Sequence, residues 1–230
     1  MNSFELYSKL KKIPFLKIGQ VDYLDDLKLL LPQLRNRPVA PFRYDDSQSP
    51  TICSLGVNVE SIYDSADIDL GSISSTILKS SPWKKCIPKT LANEFPLLKK
   101  AVDEYIDVPG RCRLSVLPAG EHVQWHCHGY LHTLPLLTEV VLHMPIQSIN
   151  VSARVADSNY NKVYNSKFNE GELWFLNTWL PHSFDNQGPL DRYHLWMNTY
   201  LTNEAGESVN LKLNSLLEDA VAKYEGPLLT

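Results

Sequence analysis

The 230-residue chain has few cysteines, and no two of them form a CxxC pair. The four are scattered along the sequence, at Cys53, Cys86, Cys112 and Cys127. Such scatter favours a reducing compartment over a disulfide framework. No apolar run approaches the roughly 18 residues that a membrane span needs, and the first residues lack the apolar core of a secretion signal. We therefore expect a cytoplasmic protein with no membrane partner.

A surplus of positive charge is also missing. Lysine and arginine number 22 against 26 aspartates and glutamates, which gives a formal net charge of −4 and a pI near 6.0. Proteins that bind nucleic acids usually carry a basic stripe, so we expect no nucleic-acid partner. Hydrophobic residues make up 43% of the chain and aromatic residues 10%, enough for a substantial core.

The length fits one domain, which we place over residues 1–230, and no internal repeat is visible. Residues 1–110 are predicted to form a mixed helical N-terminal part, and the Ser- and Asp-rich residues 61–82 within it predict irregular structure. Two leucine-rich stripes with helical spacing occur there. They are Leu24–Leu34, which Pro32 interrupts, and Leu91–Ile106, which Pro109–Gly110 closes.

From Arg111 onward the pattern changes to short apolar runs separated by turn residues. Each run predicts a strand, and many short strands of this kind are typical of a β-sandwich or a jelly roll. The predicted strands are Arg111–Leu117, Glu139–Ile146, Ile149–Val155, Glu172–Asn177 and Tyr193–Leu201. We expect a mainly β fold with flanking helices: a jelly-roll core over residues 111–201 and, within residues 202–230, a C-terminal helix near 209–224.

All seven histidines lie between His122 and His194. His126 and His128 are two residues apart, so on a strand they face the same side. His182 follows an apolar run on a later strand and can complete a metal site. An isolated His-x-His pair is about as common at two ordinary polar positions of a half-exposed strand as in a metal site. The distant His182 is what favours the metal site here.

Arg192, His194 and His143 are the further candidates. Arg192 lies ten residues after His182 and opens an apolar strand on which His194 shares its face. The arginine either extends to water or clamps the carboxylate of a co-substrate inside the fold. His143 is either a hydrogen-bonded core histidine or a second contact to that co-substrate. His122 and His132 have structural roles or lie near the mouth of the site, and Cys127 faces away from the metal.

Four blocks of the sequence together resemble the aspartyl/asparaginyl β-hydroxylase family of Fe(II)- and 2-oxoglutarate-dependent oxygenases, which includes free-proline hydroxylases of bacteria. The blocks are Arg113–His126, Leu142–Ile146, Gly171–Ser183 and Asp191–Leu195. The resemblance covers about residues 95–200 and implies a double-stranded β-helix. It implies that His126 and His182 hold iron, that Arg192 binds the far carboxylate of 2-oxoglutarate, and that His143 lies close to the co-substrate.

One position departs from the family pattern, because His128 stands where many relatives have aspartate. Non-haem iron oxygenases usually use two histidines and one carboxylate. Three histidines also resemble the sites of cupin dioxygenases, and Gly120–His128 matches the spacing of their first motif.

The leading hypothesis from the sequence is an enzyme, an Fe(II)- and 2-oxoglutarate-dependent dioxygenase. With O2 it would hydroxylate an aliphatic C–H bond of an amino acid, a small metabolite or a peptide side chain. A free amino acid or small metabolite is favoured, since no extra module for protein docking is visible. The alternatives are a three-histidine dioxygenase that needs no 2-oxoglutarate and a metal- or ligand-binding jelly roll without turnover.

Overall fold

The computed structural model describes residues 1–37, 40–44, 53–64, 86–128, 138–203 and 205–229. Its described strands form two antiparallel sheets. The strands are β1 Phe15–Gln20, β2 Ala40–Tyr44, β3 Cys53–Asp64, β4 Ile87–Pro88, β5 Pro109–Leu117, β6 His122–His126, β7 Glu139–Gln147, β8 Val151–Ala156, β9 Val163–Ser166, β10 Glu172–Leu176, β11 His182–Asn186 and β12 Arg192–Tyr200.

The prediction of irregular structure over residues 61–82 is wrong at its start, because residues 61–64 belong to β3. Residues 65–82 lie outside the described residues.

The larger sheet has the strand order β1-β10-β7-β12-β5-β3-β2, with β4 paired to β3, and the smaller sheet has the order β6-β11-β8-β9. From β5 to β12 the chain passes back and forth between the two sheets, with β5, β7, β10 and β12 in the larger one. This is the double-stranded β-helix, and the predicted jelly roll is confirmed. All five predicted strands are present, with ends that differ by one or two residues.

The strand predicted to begin at Ile149 begins two residues later. Asn150 has a φ of 55°, which lies outside the extended region, so the chain turns there before β8 starts. Asparagine is one of the few residues with a side chain that adopt this conformation readily.

Six described helices flank the sheets: α1 Ser3–Leu10, α2 Leu24–Leu29, α3 Leu31–Arg35, α4 Thr90–Glu94, α5 Pro96–Asp103 and α6 Leu211–Ala222. Pro32 lies in the first turn of α3, so the first leucine stripe is divided as predicted. The second stripe was predicted as one helix, and this is wrong. Pro96 opens α5 and separates it from α4, since proline fits the first turn of a helix but not its interior.

Two apolar clusters hold these layers together. In the first, alternate residues of the larger sheet, such as Leu114, Leu142 and Leu195, pack with the helices, here represented by Leu27 and Leu217. The second cluster lies between the two sheets and includes Leu117, Val123, Phe184 and Leu176. None of the described helices is long and apolar enough to cross a membrane.

The N-terminal part contributes to the sheet as well as to the helices. β1 pairs with β10 on one side, and β3 pairs with β5 and carries β2 on the other, so three strands from the first 64 residues extend the larger sheet beyond its jelly-roll strands. The strand predicted from Arg111 begins at Pro109, within the segment that was predicted to close the preceding helix. The composition change at residue 110 therefore does not mark the edge of the β structure.

Candidate metal centre

His126 and His182 face each other at one end of the smaller sheet. His126 is the last residue of β6 and His182 is the first residue of β11, and the two are directly paired across the strands. Their ring centroids are 4.2 Å apart. The register of the two strands shifts immediately after this pair, and such bulges are common beside functional sites because they re-aim side chains.

His128 joins this pair from just beyond the end of β6. Its backbone N–H donates to the carbonyl oxygen of Thr178 over 2.9 Å, which fixes the chain after the strand has ended. Its ring centroid lies 5.5 Å from that of His126 and 5.1 Å from that of His182. One ring nitrogen from each of the three histidines lies within 4.8 Å of the others. The three imidazoles that the sequence singles out are thus brought together.

Hydrogen bonds to the backbone set the tautomers of two of these rings. The Nδ1 atom of His126 donates to the carbonyl oxygen of Gln124 over 2.8 Å, and the Nδ1 atom of His182 donates to that of Leu180 over 2.9 Å. A carbonyl oxygen can only accept, so the proton of each neutral ring is on Nδ1 and the lone pair is on Nε2. Metal-binding histidines are usually oriented in this way.

Burial keeps these imidazoles neutral. It lowers the pKa of the half-buried His126, and it holds the pKa of His182, which is 2% exposed, well below its usual range. A neutral ring offers the lone pair that a metal requires. The donor set is three imidazole nitrogens, of a type that suits iron.

Arg192 lies deep between the sheets, at the start of β12. Its side chain is 1% exposed, and its guanidinium carbon lies 4.5 Å from the centre of the Phe184 ring. Burial lowers its pKa to about 9, which still leaves it charged at neutral pH. Within the described part of the chain, its three guanidinium nitrogens make no hydrogen bond. A buried cation of this kind requires an anionic partner, and a carboxylate matches its fork of donors.

His143 and His194 lie on neighbouring strands of the larger sheet, β7 and β12, and line the same cavity as Arg192. Their rings are stacked, with centroids 5.3 Å apart. Both ring nitrogens of His143 and the Nδ1 atom of His194 are buried without a hydrogen-bond partner among the described residues. Burial, and secondly the charge of Arg192, hold both pKa values well below the usual range. The two rings are therefore neutral donors available to a ligand.

One cavity connects these groups, since the three clustered histidines, Arg192, His143 and His194 all line it. It also includes residues that the sequence did not single out, above all Arg113, Ser115 and Trp196. Arg113 and Ser115 alternate along β5 in the same way as Arg192 and His194 along β12, and strand periodicity is the signal that could have found them.

Of the two remaining histidines, one lies away from this site and the other is not described. His122 is exposed at the opposite end of β6 from His126, and His132 lies outside the described residues. Cys127, between the two metal-facing histidines, is exposed and a free thiol.

Comparison with known proteins identifies this arrangement. The sequence model of the aspartyl/asparaginyl β-hydroxylase family matches residues 78–201, more than half of the chain. The chain belongs to this family. No curated protein matches it.

This β-hydroxylase family member is similar to solved hydroxylases of low identity. A prolyl hydroxylase from Trichoplax adhaerens, in complex with a peptide fragment of the hypoxia inducible factor oxygen degradation domain, is 13% identical over 84% of this chain and 86% of that chain, with a TM-score of 0.51. A Pseudomonas putida prolyl-4-hydroxylase is 13% identical over 85% of this chain and 96% of that one, with a TM-score of 0.46. At 13% identity the similarity to the Trichoplax adhaerens structure shows the fold alone.

Family membership makes this protein an enzyme, a hydroxylase that uses Fe(II), 2-oxoglutarate and O2. The residues present fit these groups. Three imidazoles converge on one point, and a buried guanidinium on the same cavity makes no hydrogen bond within the described residues. The imidazole nitrogens are suitable ligands for the metal, and the guanidinium is a suitable partner for the carboxylate of the co-substrate.

Proposed function

We propose that this enzyme hydroxylates an aliphatic C–H bond of an amino acid, a small metabolite or a peptide side chain. One observation carries the proposal: the three-histidine cluster and the buried Arg192 line a single cavity. The neutral rings of His143 and His194 line that cavity as well. Metal-binding and anion-binding groups in one enclosed space are what a metal-dependent oxygenase with an organic co-substrate requires.

In this proposal His126, His182 and His128 hold the iron. The bound metal, together with 2-oxoglutarate and O2, supplies the oxidising power that breaks an unactivated C–H bond. The protein's part is to fix the ligands. The carbonyl oxygens of Gln124 and Leu180 orient two of the rings by accepting their Nδ1 protons.

The co-substrate is bound by residues of the larger sheet. Arg192 pairs with its far carboxylate through charge-assisted hydrogen bonds. His143 and His194 contribute neutral N–H donors beside it. Phe184 covers the guanidinium and excludes water from this end of the cavity, which strengthens the ion pair.

We propose further that residues 1–230 work as one oxygenase domain, since β1 and β3 extend the sheet that carries Arg192. A cytoplasmic location is part of the proposal. It is supported by the free thiols of Cys86, Cys112 and Cys127 among the described residues.

Oxygen uptake by the Fe(II)-loaded protein tests the proposed function. We expect O2 consumption that requires 2-oxoglutarate and yields succinate and CO2, because Arg192 is placed to bind that co-substrate. Oxygen uptake that is independent of 2-oxoglutarate would instead favour a three-histidine dioxygenase, the second candidate, to which the three-histidine donor set points. No uptake under any condition, with Fe(II) bound, would contradict both enzyme functions.

A further inference from the structure

One aromatic side chain of the larger sheet lies next to the histidine cluster. Trp196 follows Arg192 and His194 at intervals of two residues along β12, so its indole is on the same face of the strand. It lines the cavity that contains the three clustered histidines. Every other residue of β12 is buried, whereas Trp196 is only partly buried. The indole therefore borders the open space of the cavity.

The neighbouring strands fix the position of this indole. Trp196 is paired with Arg113 of β5 on one side and with His143 of β7 on the other. The guanidinium carbon of Arg113 lies over the ring, 5.8 Å from its centre, as in a cation–π contact. The rings of Trp196 and His128 meet at 70°, with centroids 6.5 Å apart. The indole is thus held beside one of the three imidazoles that converge on the metal site.

The other described tryptophans have different surroundings. Trp125 adjoins His126 in the sequence, but its side chain is exposed and does not line the cavity. Trp174 stacks on a neighbouring aromatic ring, and Trp179 packs edge-on against another. Among the tryptophans in the described part of the chain, Trp196 alone lines the cavity.

An indole in this position is a target for the chemistry that the family performs. Besides Trp196, the described wall of the cavity consists of histidine, arginine, serine, phenylalanine and valine side chains. The indole ring is richer in electrons than any of these and is therefore oxidised more readily. An enclosed site normally protects the protein from such side reactions by placing the substrate in front of the metal. With no substrate in the cavity, the indole is the most readily oxidised group of the described wall.

We propose that Trp196 is a self-modification site, which is hydroxylated on its indole ring when 2-oxoglutarate and O2 react in the absence of the primary substrate. This inference rests on the proposed metal site. One oxygen atom of O2 enters a ring C–H bond, so that C–OH replaces C–H. The other oxygen atom is taken up as 2-oxoglutarate loses CO2 and becomes succinate. The C–H bond and 2-oxoglutarate each supply two electrons to O2, and no further reductant is needed.

The modification reports what occupies the cavity. A molecule that lies in front of the indole shields the ring and offers its own C–H bonds to the oxidant. The yield of hydroxylated Trp196 should therefore fall when a substrate binds, whatever its product is. Loss of the modification can be used to rank candidate substrates.

Mass spectrometry of the Fe(II)-loaded protein tests the inference. The protein is incubated with 2-oxoglutarate and isotopically labelled O2, without added substrate, and is then digested. We expect labelled oxygen on Trp196 and none above background on Trp125, an exposed internal control. Methionine also takes up an oxygen atom, so fragment ions must separate Trp196 from the adjacent Met197. Omission of 2-oxoglutarate should abolish the label, because the reaction needs the electrons that it supplies.

The proximity of Trp196 to the metal has a readout that does not depend on turnover. Co(II) and Zn(II) both bind to imidazole sites, but only Co(II) quenches the fluorescence of a nearby indole. We expect quenching by Co(II) in the wild type and in the control Trp125→Phe, and loss of most of it in Trp196→Phe. Phenylalanine keeps an aromatic ring in the wall, and Co(II) affinity should be unchanged because the indole is not a ligand.

Several results would overturn the inference. Label on Trp196 that forms without 2-oxoglutarate, or equal label on Trp125, would indicate adventitious oxidation. Absence of label on Trp196, or full quenching in Trp196→Phe, would show that the indole is not within reach of the metal centre. In these cases the proposed function stands if Co(II) binds, and it fails if no metal binds. Should Trp196→Phe not fold, the labelling of the wild type still decides.

Discussion

At the scale of single residues, the metal centre depends on imidazoles that are kept neutral by burial. His182 shows this most clearly, since burial lowers its pKa and the carbonyl oxygen of Leu180 accepts its Nδ1 proton. His128 occupies the position at which many members of this family have a carboxylate. Its contribution to metal binding is therefore the first property to measure.

We expect His128→Ala to weaken Fe(II) binding by at least about tenfold, since loss of even an outer partner of a ligand has an effect of this size. His128→Asp should retain binding, because aspartate supplies an oxygen ligand and a negative charge. The measurement is an anaerobic Fe(II) titration. His122→Ala is the control, since that ring is exposed at the far end of β6. Wild-type affinity in His128→Ala would indicate a site with only two histidine ligands.

Arg192→Ala should raise the Michaelis constant for 2-oxoglutarate by about tenfold or more, because in the proposed function the buried guanidinium forms charge-assisted bonds to the co-substrate. Arg192→Lys should recover part of the loss. Metal content should stay near normal, since a guanidinium cation does not bind iron. A 2-oxoglutarate titration at saturating Fe(II) tests this. An unchanged curve in Arg192→Ala would show that the co-substrate is held elsewhere.

Most of this site could be predicted from the sequence, and the reason is chemical. Two histidines that are two residues apart, a third histidine later in the chain and an arginine ten residues after it form a rare combination. The combination therefore indicates a site. Arg113 was not singled out, because one arginine in an apolar strand looks the same whether it extends to water or faces a cavity. The burial of Arg113 and its place in the cavity wall distinguish the two.

At the scale of strands and helices, the sequence predicted the buried strands after residue 110 and missed the more polar strands of that part of the chain. β7 is buried along its whole length and was predicted within one residue. β6 and β9, which are largely exposed, lack the apolar run on which strand prediction depends. β11 carries His182 and was missed because it is short and partly polar. Its position is fixed by pairing with β6 and β8, which are distant in sequence.

The turn between β11 and β12 determines where Arg192 enters the cavity, and Asn186 holds it. This residue is fully buried, and its Nδ2 atom lies 3.0 Å from each of three carbonyl oxygens, those of Leu117, Pro118 and Leu190. Asn186→Ala leaves these buried acceptors without that donor. We expect a loss of about 2–4 kcal/mol in the free energy of unfolding.

Chemical denaturation of Asn186→Ala measures this loss. Asn36→Ala is the matched control, because the Asn36 side chain makes one exposed hydrogen bond to the carbonyl oxygen of Pro32, and we expect a change of less than about 0.5 kcal/mol. Equal stability of the two variants would mean that the turn is held by its backbone bonds alone.

At the scale of the whole molecule, the stability of the fold should depend on pH through Glu139. This residue begins β7, is 4% exposed, and accepts a hydrogen bond from the side chain of Asn198. Burial raises its pKa from 4.5 to about 7. The folded state therefore holds a proton that the unfolded chain has already released, and folding is favoured at low pH by this group.

The contribution of Glu139 is fully present below a pH of about 4.5 and is lost as the pH rises through about 7. Over this window it amounts to about 3 kcal/mol. Glutamine imitates the protonated acid and keeps an oxygen for Asn198. We therefore expect Glu139→Gln to match the wild type near pH 5 and to be more stable by about 3 kcal/mol near pH 8.

Urea unfolding of both proteins at the two pH values tests this, with Glu225→Gln as a control, since Glu225 is exposed near the C-terminus. The difference between Glu139→Gln and the wild type must grow with pH, because only the wild type has to bury a charge above pH 7. A difference that is constant from pH 5 to pH 8 would show that glutamine acts through packing. A difference that shrinks would show that the carboxylate of Glu139 is ionised in the folded protein and is stabilised there.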